Sequence, residues 1–396
     1  MTLEELDKKY VLQTYARDYT NFVKGVGSTL YDENGRDYID FASGIGVNSV
    51  GHSNDKLAEA ICNQAKNIIH ISNLQVIEPQ AKLAQKIVEL SGYDMGVFFG
   101  NSGAEANEGA IKIARKYGET KFDNKRYKVI TLEHSFHGRT ITTVKATGQE
   151  NFHSPSFSPY PAGFSYKKCI EDVYKAIDDE TVAVLIELVQ GEGGVQPFAK
   201  EEIQNLAKHL KEKGILLIVD EVQTGVYRTG EFLASNLYEI EPDIITLAKG
   251  LGGGVPIGAV MTRHKEVLSA GDHGSTFGGN YLSTAAGLAV LEILEEYYES
   301  GAVGEALVYF ENKLQNIVKR HENLFEKEVG IGLMRGLRAR SAEIQGAVIK
   351  NAMKEGLVVL KAGRNTVRFL PSITISKAEI DEGFKRLEAA IREVKS

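Results

Sequence analysis

The chain has 396 residues, of which 43% are hydrophobic and 25% are charged, and its formal net charge is −7. These values are typical of a globular protein of two or three domains with a large core. The negative charge and the lack of a basic block argue against a nucleic-acid-binding surface. No apolar run approaches membrane-spanning length, and the N-terminus lacks the apolar core of a signal peptide. Cys62 and Cys169 have no disulfide or metal-site spacing, so we expect a cytoplasmic protein with reduced cysteines.

Short β-rich runs alternate with amphipathic stretches through the middle of the chain. The predicted strands are 95–99, 127–132, 182–187, 215–219, 243–247 and 257–261, and the predicted helices between them include 104–117 and 200–213. Continuous apolar strands separated by helices predict an α/β fold with a mostly parallel sheet covered on both faces. In such sheets the chemistry collects at the carboxyl ends of the strands.

The pattern changes after about residue 282. Helices are predicted at 283–297, 305–320 and 377–395, and short strands at 333–340, 357–360 and 366–369. This arrangement predicts a smaller α+β domain that includes the N-terminal residues. We therefore expect an N-terminal segment at 1–50 that contributes to the small domain, a large domain at 51–290, and a C-terminal small domain at 291–396.

A lysine and an aspartate each follow a predicted buried strand. Lys249 comes after the apolar run 244–248, and Asp220 comes after the run 215–219. Lysine is rarely placed there unless it is paired or covalently occupied. An amine in an apolar setting forms a Schiff base with a carbonyl, and a nearby carboxylate keeps a pyridinium nitrogen protonated. The pair indicates pyridoxal 5'-phosphate; the alternative is that Lys249 ends a strand and points to solvent.

Residues 98–107 offer a site for the phosphate of that cofactor. They read as a strand, a tight glycine turn and the start of a helix. Backbone N–H groups at such a helix start, together with the Ser102 hydroxyl, form a cradle for an anion. The alternative is that Asn101 or Ser102 only caps the helix. The sequence contains no G-x-G-x-x-G and no G-x-x-x-x-G-K-[ST] motif, which leaves nicotinamide and nucleoside-triphosphate chemistry unsupported.

A series of motifs gives the chain a specific family resemblance. In chain order they lie at 15–17, 30–32, 38–41, 43–48, 51–52, 101–108, 135–140, 146–149, 220–225, 243–254 and 274–280. In this order they resemble the class III, fold-type I, pyridoxal-phosphate-dependent aminotransferases over essentially the whole chain. The resemblance implies that family's α/β fold, in which a large domain with a mostly parallel central sheet flanked by helices is joined to a smaller α+β domain.

The resemblance also implies how the cofactor is bound. Lys249 is expected to form the Schiff base and to move the proton, while Asp220 holds the proton of the pyridinium nitrogen. Phe136 and Val222 are expected to cover the two faces of the ring, with Gln223 near its phenolic oxygen. The phosphate is expected to bind Ser102, Gly103, Ala104 and Thr276 of the partner subunit. That shared site implies a homodimer.

Substrate-binding residues follow from the same resemblance. Arg139 is expected to bind the substrate carboxylate that is far from the reacting amine, and Arg368 the α-carboxylate of glutamate. Glu192 is expected to pair with Arg368 when glutamate is absent, which avoids an unpaired charge in a closed site. Tyr15 and Ser275 complete the expected set.

The resemblance is strongest to family members that transfer the δ-amino group of N2-acetyl-L-ornithine to 2-oxoglutarate in arginine biosynthesis. The products of that reaction are N-acetyl-L-glutamate 5-semialdehyde and L-glutamate. A related ω-aminotransferase acting on ornithine, N-succinyl-diaminopimelate, succinylornithine or 4-aminobutyrate is an alternative. A pyridoxal-phosphate-binding aminomutase-like or regulatory protein is a third, against which Arg139, Glu192 and Arg368 together argue.

Two features depart from the family or invite another interpretation. Leu188 and Tyr281 stand where the family usually has proline, which leaves open how rigid the two loops are. His134 and His137 form an H-x-x-H pair, but the glutamate and the surrounding pattern of a zinc site are missing. We therefore expect no metal.

Overall fold

The computed structural model describes residues 1–123 and 125–394. Its α-helices are α1 Leu3–Tyr10, α2 Ser43–Gly46, α3 Asp55–Asn67, α4 Glu78–Ser91, α5 Gly103–Phe122, α6 Ile141–Ala146, α7 Ile170–Ala176, α8 Lys200–Lys213, α9 Ala234–Leu237, α10 Tyr281–Glu299, α11 Ala302–Arg320, α12 Ala342–Lys354 and α13 Lys377–Arg392. Its strands are β1 Phe22–Val26, β2 Thr29–Asp32, β3 Asp37–Asp40, β4 Gly96–Gly100, β5 Lys128–Leu132, β6 Phe164–Lys167, β7 Thr181–Ile186, β8 Val189–Gln190, β9 Gln196–Pro197, β10 Leu216–Asp220, β11 Ile244–Leu247, β12 Gly258–Thr262, β13 Phe325–Ile331, β14 Met334–Ala339, β15 Leu357–Val358, β16 Leu360–Ala362 and β17 Thr366–Phe369. Short 3-10 turns lie at Glu150–Phe152, Pro155–Phe157 and Lys249–Leu251. None of these helices is long and apolar enough to cross a bilayer.

The central sheet has the strand order β4-β12-β11-β10-β7-β5-β6. Neighbouring strands from β11 to β6 are parallel, whereas β12 is antiparallel to both β11 and β4. Alternate residues of β10 pack on opposite sides. Leu217 and Val219 join the apolar cluster that contains α8, and Leu216 and Ile218 join the cluster that contains α5. The predicted α/β fold, with a mostly parallel sheet flanked by helices, is confirmed.

Two smaller four-stranded sheets, with the orders β1-β2-β3-β15 and β13-β14-β17-β16, accompany the central one. In the first, β15 pairs in parallel with β3, so that a C-terminal strand completes an N-terminal sheet. This pairing supports the division into 1–50, 51–290 and 291–396, which stays a prediction. Lys395 and Ser396, where the predicted helix 377–395 and the last domain end, lie outside the described residues.

The predicted elements match the structure where their ends carry strong local signals. The helix predicted at 200–213 is confirmed as α8, which ends at Gly214 in the left-handed conformation with φ 64°. The strand predicted at 357–360 is wrong in its bounds, because the chain forms two short strands there, β15 and β16. The edge strand β6 was not predicted, since its four residues are only half-buried and lack a continuous apolar run.

The helix α13 packs onto a cluster of phenylalanine rings that includes Phe41, which follows β3, and Phe310 of α11. Phe41 lies 5.1 Å from Phe310 and 5.7 Å from Phe384, measured between ring centroids. Gly383 of α13 faces Phe41 so closely that an added β-carbon would lie 2.1 Å from the Cζ atom of that ring. The contact between helix and ring therefore depends on the absence of a side chain at this position.

We expect Gly383→Ala to lower the free energy of unfolding by about 1–3 kcal/mol, because overpacking outweighs the better helix propensity of alanine. The matched control is Gly346→Ala in α12, where the added β-carbon would meet no atom within 4 Å. That change is expected to stabilise the protein by about 0.5–1 kcal/mol. Urea unfolding of both variants measures the difference, and shifts of the same sign and size would contradict the packing argument.

Candidate active site

A cavity lies at the carboxyl ends of two parallel neighbours in the central sheet. In the register of β10 and β11, Asp220 lies opposite Thr246, so both strands end at the same edge. Asp220 is the last residue of β10, and Lys249 begins a 3-10 turn just after β11. Both residues line a cavity of about 440 Å³. The other sequence-predicted residues in its wall are Ser102, Gly103, Ala104, Phe136, Arg139, Val222 and Gln223.

The Asp220 carboxylate is almost fully buried, at 4% exposure, and is held by side chains from two other segments. Its Oδ2 atom accepts hydrogen bonds from Asn107 Nδ2 at 2.7 Å and pairs with His137 Nδ1 at 2.8 Å. Its Oδ1 atom accepts from the Val222 N–H at 3.0 Å. The Asn107 oxygen accepts from Thr246 Oγ1 at 2.9 Å, which fixes the orientation of the amide. A buried anion held in this way can orient and stabilise a cation in the cavity.

Lys249 is held with an unusual backbone in a setting that favours its neutral amine. Its φ of 41° is in the left-handed region, which a lysine seldom adopts outside constrained sites. Burial lowers the pKa of the Lys249 amine, and Arg368 acts in the same direction. Nearby carboxylates oppose that shift without reversing it. A lower pKa increases the fraction of unprotonated amine, which is the nucleophilic form.

The N-terminus of α5 points at the cavity from the turn after β4. The Ser102 hydroxyl accepts a hydrogen bond from the Glu105 N–H at 3.2 Å, so Ser102 does cap the helix. Gly103 approaches the neighbouring loop closely, because an added β-carbon would lie 2.7 Å from Val222 Cγ1. Ser102, Gly103 and Ala104 line the cavity at the helix end where the dipole and N–H groups favour an anion.

Phe136 and Arg139 form another part of the wall, and both contact the ring of Phe152. The Phe136 and Phe152 rings meet edge to face, with centroids 5.8 Å apart. The Arg139 guanidinium carbon lies 3.9 Å from the centre of the Phe152 ring and 5.6 Å from that of Phe136. Such cation–π contacts orient a guanidinium without using its N–H donors, which remain available to a carboxylate.

A second arginine is held by an ion pair. Arg368 is 2% exposed, and its Nη1 atom lies 2.6 Å from Glu192 Oε1. The same Nη1 atom donates to Gln223 Oε1 at 3.3 Å, and Gln223 lines the cavity. An ion pair at this depth neutralises a guanidinium that would otherwise be buried without a counter-charge.

Comparison with known proteins identifies the family. The sequence model described as "Aminotransferase class-III" matches residues 13–391. The chain belongs to the class-III aminotransferases. It is 60% identical over 390 residues to the acetylornithine aminotransferase of Wolinella succinogenes, which covers 98% of this chain and 99% of that protein. It is 45% identical to the acetylornithine aminotransferase of Methanocaldococcus jannaschii, over 99% of this chain and 98% of that one.

Solved structures of other aminotransferases have the same fold. The ornithine aminotransferase of Toxoplasma gondii superposes with a TM-score of 0.92 at 31% identity, covering 98% of this chain and 94% of that one. The N-acetylornithine aminotransferase of Stenotrophomonas maltophilia superposes with a TM-score of 0.82 at 32% identity, covering 98% of both chains. The resemblance to fold-type I enzymes of class III is therefore confirmed.

Class-III aminotransferases depend on pyridoxal phosphate, and the cavity of this member fits that cofactor. Asp220 would supply a buried negative charge for the pyridinium nitrogen, the start of α5 would suit the phosphate, and Lys249 would provide a nucleophilic amine. Within residues 1–123 and 125–394, no group of three or more His, Cys, Asp or Glu side chains is arranged to hold a metal ion. The Nδ1 atom of His137 pairs with the Asp220 carboxylate at 2.8 Å.

Five of the sequence-predicted residues lie outside the cavity wall: the Glu192–Arg368 pair described above, and Tyr15, Ser275 and Thr276. Tyr15 is 74% exposed, and its ring contacts the guanidinium of Arg17 at 5.6 Å. Thr276 is exposed. Ser275 lies beside the turn between β4 and α5, where its hydroxyl accepts from Asn101 Nδ2 at 3.2 Å and from the Gly278 N–H at 2.9 Å. The roles of these residues stay predictions.

The structure adds residues to which the sequence assigned no role in this aminotransferase. Asn107 and His137 hold Asp220, Phe152 supports Arg139, and Glu187 lines the cavity. One signal was available for Asn107, which lies four residues after Gly103 and therefore on the same face of α5. His137 was weighed only as a metal ligand.

The two departures from the family sequence fit the local structure. Tyr281 is the first residue of α10, after the N-cap Asn280. Proline is common at that position because its missing N–H would have no partner inside the helix, and a residue that has the N–H is tolerated equally. Leu188 is fully buried, and its carbonyl oxygen accepts hydrogen bonds from the Phe198 N–H and the Tyr238 hydroxyl.

We expect Lys249→Ala to abolish turnover, because among the described residues that line the cavity Lys249 alone carries an amine. Asp220 and the start of α5 should still hold pyridoxal phosphate by non-covalent contacts. After borohydride reduction and unfolding, the wild type should keep the cofactor on the peptide that contains Lys249, and the variant should release it. Lys112→Ala, on the exposed side of α5, serves as the control and should behave as the wild type. Near-normal turnover by Lys249→Ala would contradict the assignment of Lys249 as the Schiff-base lysine.

Proposed function

We propose that this aminotransferase transfers the δ-amino group of N2-acetyl-L-ornithine to 2-oxoglutarate. The products are N-acetyl-L-glutamate 5-semialdehyde and L-glutamate, and the reaction belongs to arginine biosynthesis in the cytoplasm. The observation that carries the proposal is the 60% identity, over nearly the full length of both chains, to a protein named acetylornithine aminotransferase. The residues that line the cavity also support the proposal.

Proton movement is assigned to the residues at the strand ends. Pyridoxal phosphate, when bound, supplies an electron sink that stabilises negative charge at the carbon bearing the amine. Asp220, oriented by Asn107 and His137, keeps the ring nitrogen protonated so that this sink operates. With the cofactor bound, the Lys249 amine would accept the proton that leaves the substrate carbon bearing the reacting amine and would later give it back, since its lowered pKa suits it to act as both base and acid.

The two arginines divide the recognition of carboxylates. Arg139, oriented by Phe152, binds the carboxylate that is far from the reacting amine in both substrates. Arg368 binds the α-carboxylate of glutamate or 2-oxoglutarate, after Glu192 has turned away. With acetylornithine in the site, the Glu192–Arg368 pair stays closed, because that substrate has no second carboxylate beside its reacting amine. One cavity therefore accepts substrates of different charge.

A homodimer completes the proposed active site. Thr276 is exposed and is assigned to the phosphate site of the neighbouring subunit. It belongs to a surface of exposed apolar side chains, with Leu74 90% exposed, Val76 88% and Phe277 61%. Asn73 connects the two parts of this surface, because its Nδ2 atom donates to the carbonyl oxygens of Ser275 and Gly278. Exposed apolar surface of this kind is typical of a subunit interface.

We expect N-acetyl-L-ornithine, added without an oxo acid, to convert the bound pyridoxal phosphate into pyridoxamine phosphate. The conversion is measured as a change in the absorption spectrum of the purified holoenzyme, and 2-oxoglutarate should reverse it. A cofactor band that persists with acetylornithine but is lost with ornithine, N-succinyl-diaminopimelate, succinylornithine or 4-aminobutyrate would replace the proposed donor with one of these amines. A band that persists with every amine would refute transamination itself.

We expect Arg139→Ala to lower kcat/KM for acetylornithine and for glutamate, each by about 10–100-fold, because a charge-assisted contact contributes about 1.5–3 kcal/mol. Arg368→Ala should lower kcat/KM by a similar factor for glutamate and by much less for acetylornithine. Arg320→Ala, which removes an exposed guanidinium on α11, is the control and should leave both values unchanged. The two half-reactions, measured separately by stopped-flow absorption, decide the matter. Equal losses for both substrates in both cavity variants would contradict the division of roles.

A further inference from the structure

Glu187 is a carboxylate in the cavity wall to which the proposed reaction assigns no role. It follows the last residue of β7, is 6% exposed and lines the cavity. In the part of the chain that the structure describes, no lysine or arginine lies within 4.0 Å of its carboxylate. A carboxylate buried without a cation is costly, and it persists only where its hydrogen bonds are needed.

Both oxygens of Glu187 bind backbone N–H groups, and the two groups belong to different loops. The Oε2 atom accepts from the Phe136 N–H at 3.0 Å, and the Oε1 atom accepts from the Gly191 N–H at 3.2 Å. We call residues 135–139 the aromatic turn, since Phe136 and Arg139 belong to it, and residues 190–194 the gate turn, since it contains Glu192. One side chain thus connects the two turns.

The gate turn leaves little room for another arrangement. An added β-carbon at Gly191 would lie 2.3 Å from Gln223 Oε1. Gln223 accepts a hydrogen bond from Arg368, and Arg368 pairs with Glu192, the residue that follows Gly191. A displacement of the Gly191 N–H therefore alters the contacts of Gln223 and of the Glu192–Arg368 pair.

Burial destabilises the charged form of Glu187, whereas its two hydrogen bonds stabilise that form. Burial raises the pKa of Glu187 to about 7, and the negative charge of Asp220 adds to that shift. His137 and the N–H groups of Phe136 and Gly191 oppose it. An apolar residue would avoid the unfavourable burial of a charge, but it would leave two buried N–H groups without acceptors.

We propose that Glu187 is a positioning residue that fixes the aromatic turn relative to the gate turn, so that the cofactor-stacking ring and the Glu192–Arg368 pair keep their spacing. This role rests on the proposed transamination, in which Phe136 faces the cofactor and Arg368 receives glutamate. Glutamate needs both turns in place, whereas acetylornithine leaves the gate pair closed. Loss of the connection should therefore impair the reaction with glutamate more than the reaction with acetylornithine.

Glu187→Gln tests the proposal, because glutamine presents one acceptor oxygen and one NH₂ group to two N–H donors. In the holoenzyme we expect KM for glutamate to rise about tenfold or more, with kcat and KM for acetylornithine changing less. Hydrogen exchange should become faster in the peptides that carry the Phe136 and Gly191 amides. Glu187→Asp, which is one methylene shorter and cannot reach both donors, should show the same direction if the glutamine variant does not fold.

Glu221→Gln is the matched control. Glu221 is a buried carboxylate one residue beyond Asp220, and it accepts hydrogen bonds from Thr224, Ala234 and Ser235 without lining the cavity. The Glu221→Gln variant should be less stable than the wild type. Its ratio of kcat/KM for glutamate to that for acetylornithine, and the hydrogen exchange at Phe136 and Gly191, should stay unchanged. Equal losses for both substrates in Glu187→Gln, or unchanged exchange in the two peptides, would overturn the proposal. If acetylornithine does not convert the cofactor of the wild type into pyridoxamine phosphate, the proposed function is refuted instead. The exchange measurement would still decide whether Glu187 connects the two turns.

Discussion

The buried Asp220 carboxylate is the constraint on which the arrangement of the cavity depends. A carboxylate at 4% exposure requires donors, and these come from α5 through Asn107 and from the aromatic turn through His137. The two bonds fix a helix and a loop against the end of β10. Because β11 is the parallel neighbour of β10, the same edge also receives Lys249. One buried charge thus determines where the start of α5, the aromatic turn and Lys249 lie relative to each other.

Other buried charges in this enzyme also connect segments that are distant along the chain. Arg228 is 3% exposed, and burial lowers its pKa to about 9. Its Nη1 atom donates to the carbonyl oxygens of Leu333 and Pro371, both in the C-terminal part of the chain. Glu187 has the opposite charge and a comparable task, since it binds N–H groups from two loops. In both cases directional hydrogen bonds define a geometry that apolar packing alone specifies less well.

The sequence predicted those features that are encoded locally. Apolar runs that end in Asp220 or precede Lys249 could be recognised as strands, and the expected parallel pairing of such strands placed both residues at the carboxyl edge of the sheet. The helix α8 was predicted with its observed bounds, because Gly214 marks its end. Asn107 and His137 could not be assigned in this way, since they meet Asp220 across 113 and 83 residues of sequence. Their roles depend on tertiary contacts for which no spacing rule exists.

Hydrogen bonds also fix the exposed apolar loop that precedes α4. The loop before α4 is apolar and exposed at Leu74 and Val76, yet Asn73 and Gln80 hold it against the carbonyl oxygens of 275, 278 and 279. Hydrogen bonds that fix an exposed apolar surface reduce the entropy lost when that surface is covered. The same contacts fix the segment that carries Thr276. In the proposed dimer, the contacts that prepare the subunit interface would therefore also prepare the phosphate site of the partner, so that assembly and cofactor binding depend on one rigid segment.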